Sequence, residues 1–220
     1  MLRPALVALM LLAACKDDTP HPNLPPASPA AAQPGSNAHG TGLPPSGAAP
    51  TGAPRTLDKL ADGRVALGPF SMLVPADWTE KPSTSGMRAA QFQLPGAPGD
   101  AEVIVYYFGE TGAGSVQANI DRWLSQFKQP DGKPSSEVAK IEKAQYAGRD
   151  ATLISVSGRY VAAAMPGGQA VDKPDQSLLA AIVESPQGPY YFRLIGGESA
   201  VSARAPQFRE ALSSLSLRPL

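Results

Sequence analysis

The chain has 220 residues, of which 43% are hydrophobic and 17% are charged, and nineteen basic residues balance nineteen acidic ones. Nucleic-acid binding needs a clustered positive surface, and a chain with no net charge and no basic run disfavours it. The chain has a single cysteine, which excludes an internal disulfide. Its length suits one domain with additional segments.

The N-terminal segment has the organisation of a secretory signal. Arg3 supplies a positive charge, and ten apolar residues follow from Ala5 to Ala14. A membrane-spanning helix needs roughly 20 apolar residues, so this shorter run fits the apolar part of a signal peptide. We therefore expect a signal peptide over residues 1–14.

The signal ends in Leu12-Ala13-Ala14-Cys15, which resembles the lipobox of bacterial lipoproteins. The resemblance implies that the sulfur of Cys15 carries a diacylglyceryl group with palmitate-type chains, and that Cys15 becomes the mature N-terminus at a membrane. Ordinary cleavage is the alternative, and it fits poorly because Leu12 would occupy a position that prefers small residues. Lys16 rather than Asp follows the cysteine, which favours the outer membrane, facing the periplasm, over the inner membrane.

Residues 15–56 are predicted to be the lipidated cysteine and a disordered linker. Ten of residues 16–56 are proline, and large apolar residues are rare. Such a composition cannot bury enough apolar surface to offset the entropy lost on ordering. His21 and His39 are isolated from each other in this linker and do not suggest a metal site. A globular domain is predicted over residues 57–220.

The predicted domain contains neither histidine nor cysteine. This composition excludes Ser-His-Asp and Cys-His catalysis and the common zinc and copper ligand sets. Carboxylates, lysines, hydroxyls and tyrosines are the groups left for acid, base or nucleophilic chemistry. We therefore expect a protein that is not an enzyme and that uses no metal or other cofactor.

Apolar patterns predict the elements of the domain in chain order. Strands are predicted over Val65–Val74, Arg88–Leu94, Glu102–Phe108, Glu137–Tyr146, a segment bearing Thr152, Ile154, Val156 and Tyr160, Leu179–Glu184, and Tyr190–Ile195. Two helices, one tight hairpin turn and one long loop complete the prediction: helices Ser115–Lys128 and Ser199–Ser214, turn Ala147-Gly148, and loop Met165–Ser177.

Three local features shape the predicted fold. Glu102–Phe108 is apolar on both faces, which is typical of a central strand covered by helices on two sides. Ser115 is a suitable N-cap for the first helix, and Pro206 predicts a kink or a break in the second. Short turns join most strands, so the class is α+β, with a mainly antiparallel sheet of six to seven strands and helices on both faces.

Residues 65–217 resemble the PsbP-like family, which includes DcrB-like bacterial lipoproteins. The resemblance lies in the strand that ends at Pro75-Ala76-Asp77-Trp78, in the central strand EVIVYYF, in a helix with Asn119, Arg122, Trp123 and Phe127, and in the closing hairpin and helix. It implies an α-β-α sandwich. Members are mostly non-enzymatic accessory or binding modules, so the resemblance implies a binding role without naming a partner.

The loop Gly109–Ser115 is the first candidate binding site. Glycines between a strand and a helix N-terminus can present backbone N–H groups to an anion. The candidate residues are Gly109, Gly112, Gly114 and Ser115. A Walker-type phosphate loop would also need lysine after its last glycine, where Ser115 stands. The alternative is a turn whose glycines allow positive φ and whose serine caps the helix.

Asn119, Arg122 and Gln126 form the second candidate site. Their spacing predicts that they share a helix face away from the apolar stripe. There they could contact a partner, anchor the Gly-rich loop, or form an ordinary solvated face.

Five aromatic side chains could line an apolar pocket, although packing in the core is the alternative: Trp78, Tyr106, Tyr107, Tyr190 and Tyr191. Asp172 and Asp175 lack the spacing of an EF-hand and do not suggest calcium.

Three functions are compatible with these patterns. The first is a membrane-anchored cell-envelope lipoprotein with a non-catalytic role in protein binding or assembly, whose partners are the membrane, through Cys15, and another envelope protein. The second is a carrier of a lipid or small amphiphile held between sheet and helix. The third is a carboxylate-dependent envelope hydrolase, for which the sequence identifies no carboxylate pair.

Overall fold

Strands dominate the computed structural model of the chain, which describes residues 55–95, 101–110, 114–163 and 169–219. Within these residues the strands are β1 (Val65–Leu67), β2 (Phe70–Met72), β3 (Thr79–Glu80), β4 (Arg88–Leu94), β5 (Ala101–Tyr107), β6 (Phe127–Lys128), β7 (Lys140–Tyr146), β8 (Arg149–Ala162), β9 (Val171–Val183), β10 (Tyr190–Gly197) and β11 (Ser216–Leu217). The helices are α1 (Val116–Ser125), α2 (Glu198–Ser213) and a short 3-10 helix, Ser135–Glu137.

Eight of these strands form one antiparallel sheet. Its order is β3-β4-β5-β10-β9-β8-β6, and β7 also pairs with β8. The remaining three strands form a small sheet in the order β1-β2-β11. The predicted α+β class with a mainly antiparallel sheet is confirmed. The sheet exceeds the predicted six to seven strands because it includes β3 and β6, which have two residues each.

The two helices cover opposite faces of the large sheet, as predicted. Along β9, Leu178, Ala180 and Ile182 pack in one apolar cluster with Trp123 of α1. The alternate residues of the same strand, 179, 181 and 183, pack in a second cluster with Phe208 of α2. Successive side chains of a strand point to opposite faces, so one strand serves both clusters. Burial of each large apolar side chain contributes about 1.5–3 kcal/mol.

The N-terminal end of α1 follows the prediction and its C-terminal end does not. The Ser115 hydroxyl accepts a hydrogen bond from the Ala118 backbone N–H at 3.1 Å, which confirms the N-cap. The predicted helix was to end at Lys128, but α1 ends at Ser125. Phe127 instead pairs with Tyr160 of β8, and their rings lie 5.3 Å apart. Residues 127 and 128 therefore pair with the edge of β8 instead of forming a last helical turn.

The predicted strand Val65–Val74 is wrong in the middle, where the chain turns back on itself. Gly68 has a φ of +59° and Pro69 has no N–H, so neither suits the interior of a strand. The segment forms the hairpin β1–β2 instead, with Leu67 opposite Phe70.

The predicted loop Met165–Ser177 is wrong from Val171 onward, because residues 171–177 belong to β9. They pair with the second half of β8, and the register shifts between Gly158 and Tyr160. Residues 164–168 lie outside the described part of the chain.

The break predicted at Pro206 is absent, because α2 continues through it. A proline leaves the carbonyl of the residue four positions earlier without its helical donor. That residue is Ser202, which is exposed, as is Pro206 itself. Water can therefore satisfy the free carbonyl, and the buried side of the helix, with Val201 and Phe208, is unaffected.

No helix within the described residues is long and apolar enough to cross a membrane.

Candidate functional site

The segment that leads into α1 carries the glycines singled out from the sequence. Gly109 has a φ of +83° and Gly114 a φ of +92°, values that favour glycine. Ser115 is occupied as the helix cap. Gly112 lies outside the described residues, together with residues 111 and 113. The observed geometry therefore accounts for the two outer glycines as a turn, and anion binding by the loop stays a prediction.

The same segment is held against the turn between β9 and β10. A Cβ on Gly188 would lie 2.5 Å from the Gly109 carbonyl oxygen and 2.9 Å from the Glu110 Cα. The Tyr107 hydroxyl donates to the Gln187 carbonyl oxygen at 2.6 Å. Gly188 thus permits a backbone approach that a larger residue would prevent. This role of Gly188 could not be predicted from the sequence, because the contact joins residues almost 80 positions apart.

Asn119 is not on a solvated face, and that interpretation is wrong for this residue. It is fully buried between α1 and the sheet. Its Nδ2 donates to the Ser115 carbonyl oxygen at 2.9 Å and lies 3.5 Å from the Tyr191 hydroxyl. Its Oδ1 accepts from Arg122 Nη2 at 2.5 Å. Asn119 is therefore part of the joint that fixes the start of α1.

Arg122 and Gln126 diverge from Asn119 in their surroundings. Arg122 is exposed, and it reaches the buried amide through one nitrogen. Gln126 is half-buried, and its Oε1 atom is buried and has no hydrogen-bond partner among the described residues. The three predicted residues thus have different surroundings. Asn119 makes a structural contact, Arg122 is a cation at the surface, and Gln126 has a buried acceptor.

The five aromatic candidates do not line one pocket. Tyr106 and Tyr191 belong to the cluster under α1. Trp78, Tyr107 and Tyr190 belong to the cluster under α2, on the other face of the sheet. Their alternative interpretation as core residues is therefore correct.

Arg193 is a residue that the sequence analysis missed. It lies on β10, and its guanidinium carbon is 5.3 Å from the centre of the Trp123 ring. Its Nε and Nη2 atoms are buried and have no hydrogen-bond partner in the part of the chain that the structure describes. The available signal was a lone charge in the strand YYFRLI, spaced by two from Tyr191 and Ile195.

An open cleft of about 430 Å³ lies on the other face of the sheet, beside α2. The hydroxyls of Ser157 and Ser177 are 2.5 Å apart on its floor. Arg209 is exposed at its side, and other lining residues come from β8, β9 and α2: Ser155, Leu179 and Val201. The cleft therefore combines apolar surface, hydroxyl groups and one cation.

Shifted pKa values in the described part of the chain have structural causes. Hydrogen bonds from Arg204 lower the pKa of Asp77. The paired hydrogen bonds of Arg159 to Asp172, at 2.6 and 2.7 Å, lower the pKa of that aspartate and raise that of the arginine. Burial raises the pKa of Tyr146. Within the same residues, no three potential metal ligands cluster.

Ionisation of Tyr190 is expected to destabilise the fold at alkaline pH. Burial, with a smaller effect of Tyr107, raises the pKa of Tyr190 to about 12, from 10 in the unfolded chain. Folding therefore favours the neutral phenol, and this contribution is complete below pH 10 and is lost as the pH rises from 10 to 12. Urea unfolding between pH 8 and 12 should show a steeper loss of stability for the wild type than for Tyr190→Phe, which cannot ionise. Parallel curves would contradict the shift.

The fold and these residues describe an α+β domain with two packed helices and a partly polar helix–sheet joint. No protein-family model and no curated protein sequence matches the chain. Among solved structures, it is similar to a protein of unknown function from Pseudomonas aeruginosa, with 15% identity, a TM-score of 0.40, and coverage of 75% of this chain and 98% of that one. It is also similar to cyanobacterial PsbP from Synechocystis, with 15% identity, a TM-score of 0.41, and coverage of 68% and 87%.

A third similar structure comes from Bacteroides thetaiotaomicron, with 13% identity, a TM-score of 0.40, and coverage of 70% of this chain and 48% of that one. The neighbours thus include a PsbP-like protein, and at these identities they assign no activity to this chain.

Proposed function

We propose that the protein is a lipid-anchored component of the bacterial cell envelope, and that its domain binds another envelope protein without catalysing a reaction. The observation that carries the proposal is the order of segments: a ten-residue apolar run, Leu12-Ala13-Ala14-Cys15, a proline-rich linker, and then a packed domain. A lipid on Cys15 would hold the domain at the membrane, and the linker would let it reach a partner.

The physics of the proposed anchor favours stable attachment. Each buried methylene group contributes about 0.8 kcal/mol, and one acyl chain gives only reversible binding. A diacylglyceryl group on Cys15 supplies two chains. Because Lys16 follows the cysteine, we place the protein in the outer membrane, facing the periplasm.

The chemistry of the domain supports binding rather than conversion. Residues 57–220 contain no histidine and no cysteine. The carboxylates with shifted pKa values, Asp77 and Asp172, are engaged by Arg204 and Arg159 and are exposed rather than paired with each other. These groups serve the fold, and general acid–base work would need a carboxylate released from such contacts.

The outer side of α1 is the proposed partner surface. Gln117, Asp121 and Arg122 are exposed there, and Gln117 Nε2 donates to Asp121 Oδ1 at 2.7 Å. Arg122 is fixed by its contact with buried Asn119, so its charge is presented in a defined position. A pre-positioned arginine at the rim of an interface contributes orientation and specificity.

One experiment tests anchor and binding together. A photo-reactive amino acid replaces exposed Gln117, which leaves Arg122 in place, in the wild-type chain and in a Cys15→Ser chain, and cells are labelled with an alkyne analogue of palmitate. We expect the first chain to carry the lipid label and to cross-link to one envelope protein, and the second to lose the label and at least nine-tenths of the adduct. Glu210, exposed on α2, is the matched control position and should give no such adduct.

Two results would contradict the proposal. A Cys15→Ser chain that keeps the lipid label would contradict the anchor, and an absence of any specific adduct at Gln117 would contradict this binding surface.

The cleft beside α2 favours a second candidate function, carriage of a small amphiphile between sheet and helix. Its apolar walls suit an acyl or ring system, and Arg209 suits an acidic head group. In the same experiment, a small molecule that co-purifies with the labelled chain, in place of a protein adduct, would favour this candidate.

A further inference from the structure

The side chain of Arg193 lies on the α1 face of the large sheet, and no carboxylate of the described residues forms an ion pair with it. Register places Ile104 of β5 and Ala180 of β9 on either side of it. Both neighbours are apolar, and the Trp123 ring covers the guanidinium. A guanidinium with two buried donors that lack acceptors is costly, because the donors have lost water and gained nothing in exchange.

Two other arginines that this fold largely removes from water donate hydrogen bonds to nearby acceptors. Arg64, whose side chain is 17% exposed, donates to the Ser71 hydroxyl, the Ser71 carbonyl and the Ser214 carbonyl. Arg204, whose side chain is 15% exposed, donates to Asp77, Gln207 and the Pro95 carbonyl. Arg193 departs from this rule.

The unpaired edge of Arg193 has a defined chemical preference. Nε–H and Nη2–H are nearly parallel and match the two oxygens of one carboxylate. Arg159 uses these same two atoms to bind the carboxylate of Asp172. The nearest acid on the same face of β5 is Glu102, which accepts a hydrogen bond from Gln91 at 2.9 Å and forms no ion pair with Arg193.

A buried acceptor accompanies the two donors. Gln126 lies one helical turn after Trp123, on the side of α1 that also carries Asn119. Its Oε1 is buried and unpaired. The described residues contain four buried side-chain atoms without a partner, and three of them belong to Gln126 and Arg193. Trp123 lies three residues before Gln126 in the chain, and its ring covers the Arg193 guanidinium.

We propose that this joint between α1 and the sheet binds a small organic carboxylate, held by the Nε and Nη2 atoms of Arg193. A hydroxyl or amine on the ligand would donate to Gln126 Oε1. A single cation in apolar surroundings balances one negative charge, and a dianionic phosphate would leave a second charge buried and unpaired. The site is independent of the partner surface proposed on the outer side of α1.

A ligand can reach the Arg193 guanidinium only past side chains of α1 that cover it. Arg193 as a whole is half-buried, whereas its Nε and Nη2 atoms are out of contact with solvent. Binding therefore needs a rotation of a covering side chain, and Trp123 lies in direct contact with the guanidinium. Its fluorescence should report occupancy.

The test uses the full chain with Trp78→Phe, which leaves Trp123 as the sole tryptophan because the chain has two. Sodium acetate, butyrate and lactate are titrated to ~50 mM at constant ionic strength, a range suited to the weak affinities of ligands of few atoms. We expect a saturable fluorescence change and a higher melting temperature, with lactate binding more tightly than butyrate. Lactamide, the neutral counterpart of lactate, should give no saturable change.

Variants separate the site from general effects. Arg193→Lys keeps the positive charge but lacks the two parallel N–H donors of the guanidinium, and it should weaken lactate binding at least tenfold. The matched variant Arg159→Lys should leave lactate binding unchanged. Gln126→Ala should remove the preference for lactate over butyrate and retain carboxylate binding, which keeps the proposal testable if Arg193→Lys fails to fold. No saturable response to any carboxylate, an equal response to lactamide, or tighter binding of inorganic phosphate would overturn the proposal.

Discussion

Replacement of Gly68 by alanine is expected to lower the free energy of unfolding by about 3 kcal/mol or more. Gly68 has a φ of +59°, at which an L side chain costs roughly 1–2 kcal/mol. An added Cβ would overlap the hydroxyl oxygen of Tyr190 and lie 3.0 Å from its Cζ. That ring cannot move aside, because it packs edge-on against Phe70 at 5.5 Å and stacks on Tyr107 at 4.6 Å.

Gly63→Ala provides the matched control for this prediction. Gly63 has a φ of +81°, but nothing lies within 4 Å of an added Cβ, so this variant carries backbone strain alone. In urea denaturation, Gly68→Ala should lower the free energy of unfolding more than Gly63→Ala does. Addition of Tyr190→Phe to Gly68→Ala removes the overlapping oxygen and should recover part of it. Equal losses for the two glycine variants would show that the ring yields, and the argument from packing would fail.

Elements that depend on neighbouring residues could be predicted from the sequence. The apolar stripe of α1, with Ile120, Trp123 and Leu124 buried, follows from a 3.6-residue period. The Ser115 cap follows from local chemistry, and so does the turn at Ala147-Gly148, in which both residues have positive φ. Such features need no information about distant parts of the chain.

Elements that depend on distant pairing could not be predicted in this way. Phe127 has the period of a helix residue, but it pairs with Tyr160, over 30 positions away. Residues 171–177 contain a proline and several charges and read as a loop, yet β8 extends far enough to pair with them. In both cases β8 supplies hydrogen bonds that local propensity does not register.

In the candidate site, too, some features follow from neighbouring residues and others depend on distant parts of the chain. Asn119 precedes Trp123 by four residues and therefore shares its helix face, a signal of burial that its polarity concealed. Arg193 alternates with Tyr191 in β10, which places it on the same covered face. The lack of an acceptor for Arg193 among the described residues depends on three strands, β5, β9 and β10, and α1 coming together, and only the structure reveals it.

Asn119→Ala is expected to lower the free energy of unfolding by about 2–3 kcal/mol, because the change removes a buried amide and leaves its partners without it. The amide joins the Ser115 carbonyl oxygen, Arg122 and the neighbourhood of the Tyr191 hydroxyl, and it is fully buried. Loss of this joint should loosen the first turn of α1 while the cluster around Phe208, under α2, stays packed. Amide hydrogen exchange should therefore rise in α1 more than in α2.

Gln117→Ala is the matched control, since Gln117 lies on the same helix, is exposed and donates a hydrogen bond to exposed Asp121. This variant should change the free energy of unfolding by no more than about 0.5 kcal/mol, as other exposed substitutions do. Urea unfolding of both variants measures the difference. If Asn119→Ala were no more destabilising than Gln117→Ala, the buried amide would not hold α1 to the sheet. Its orientation toward Arg122 would then point to a role in binding, as the sequence first suggested.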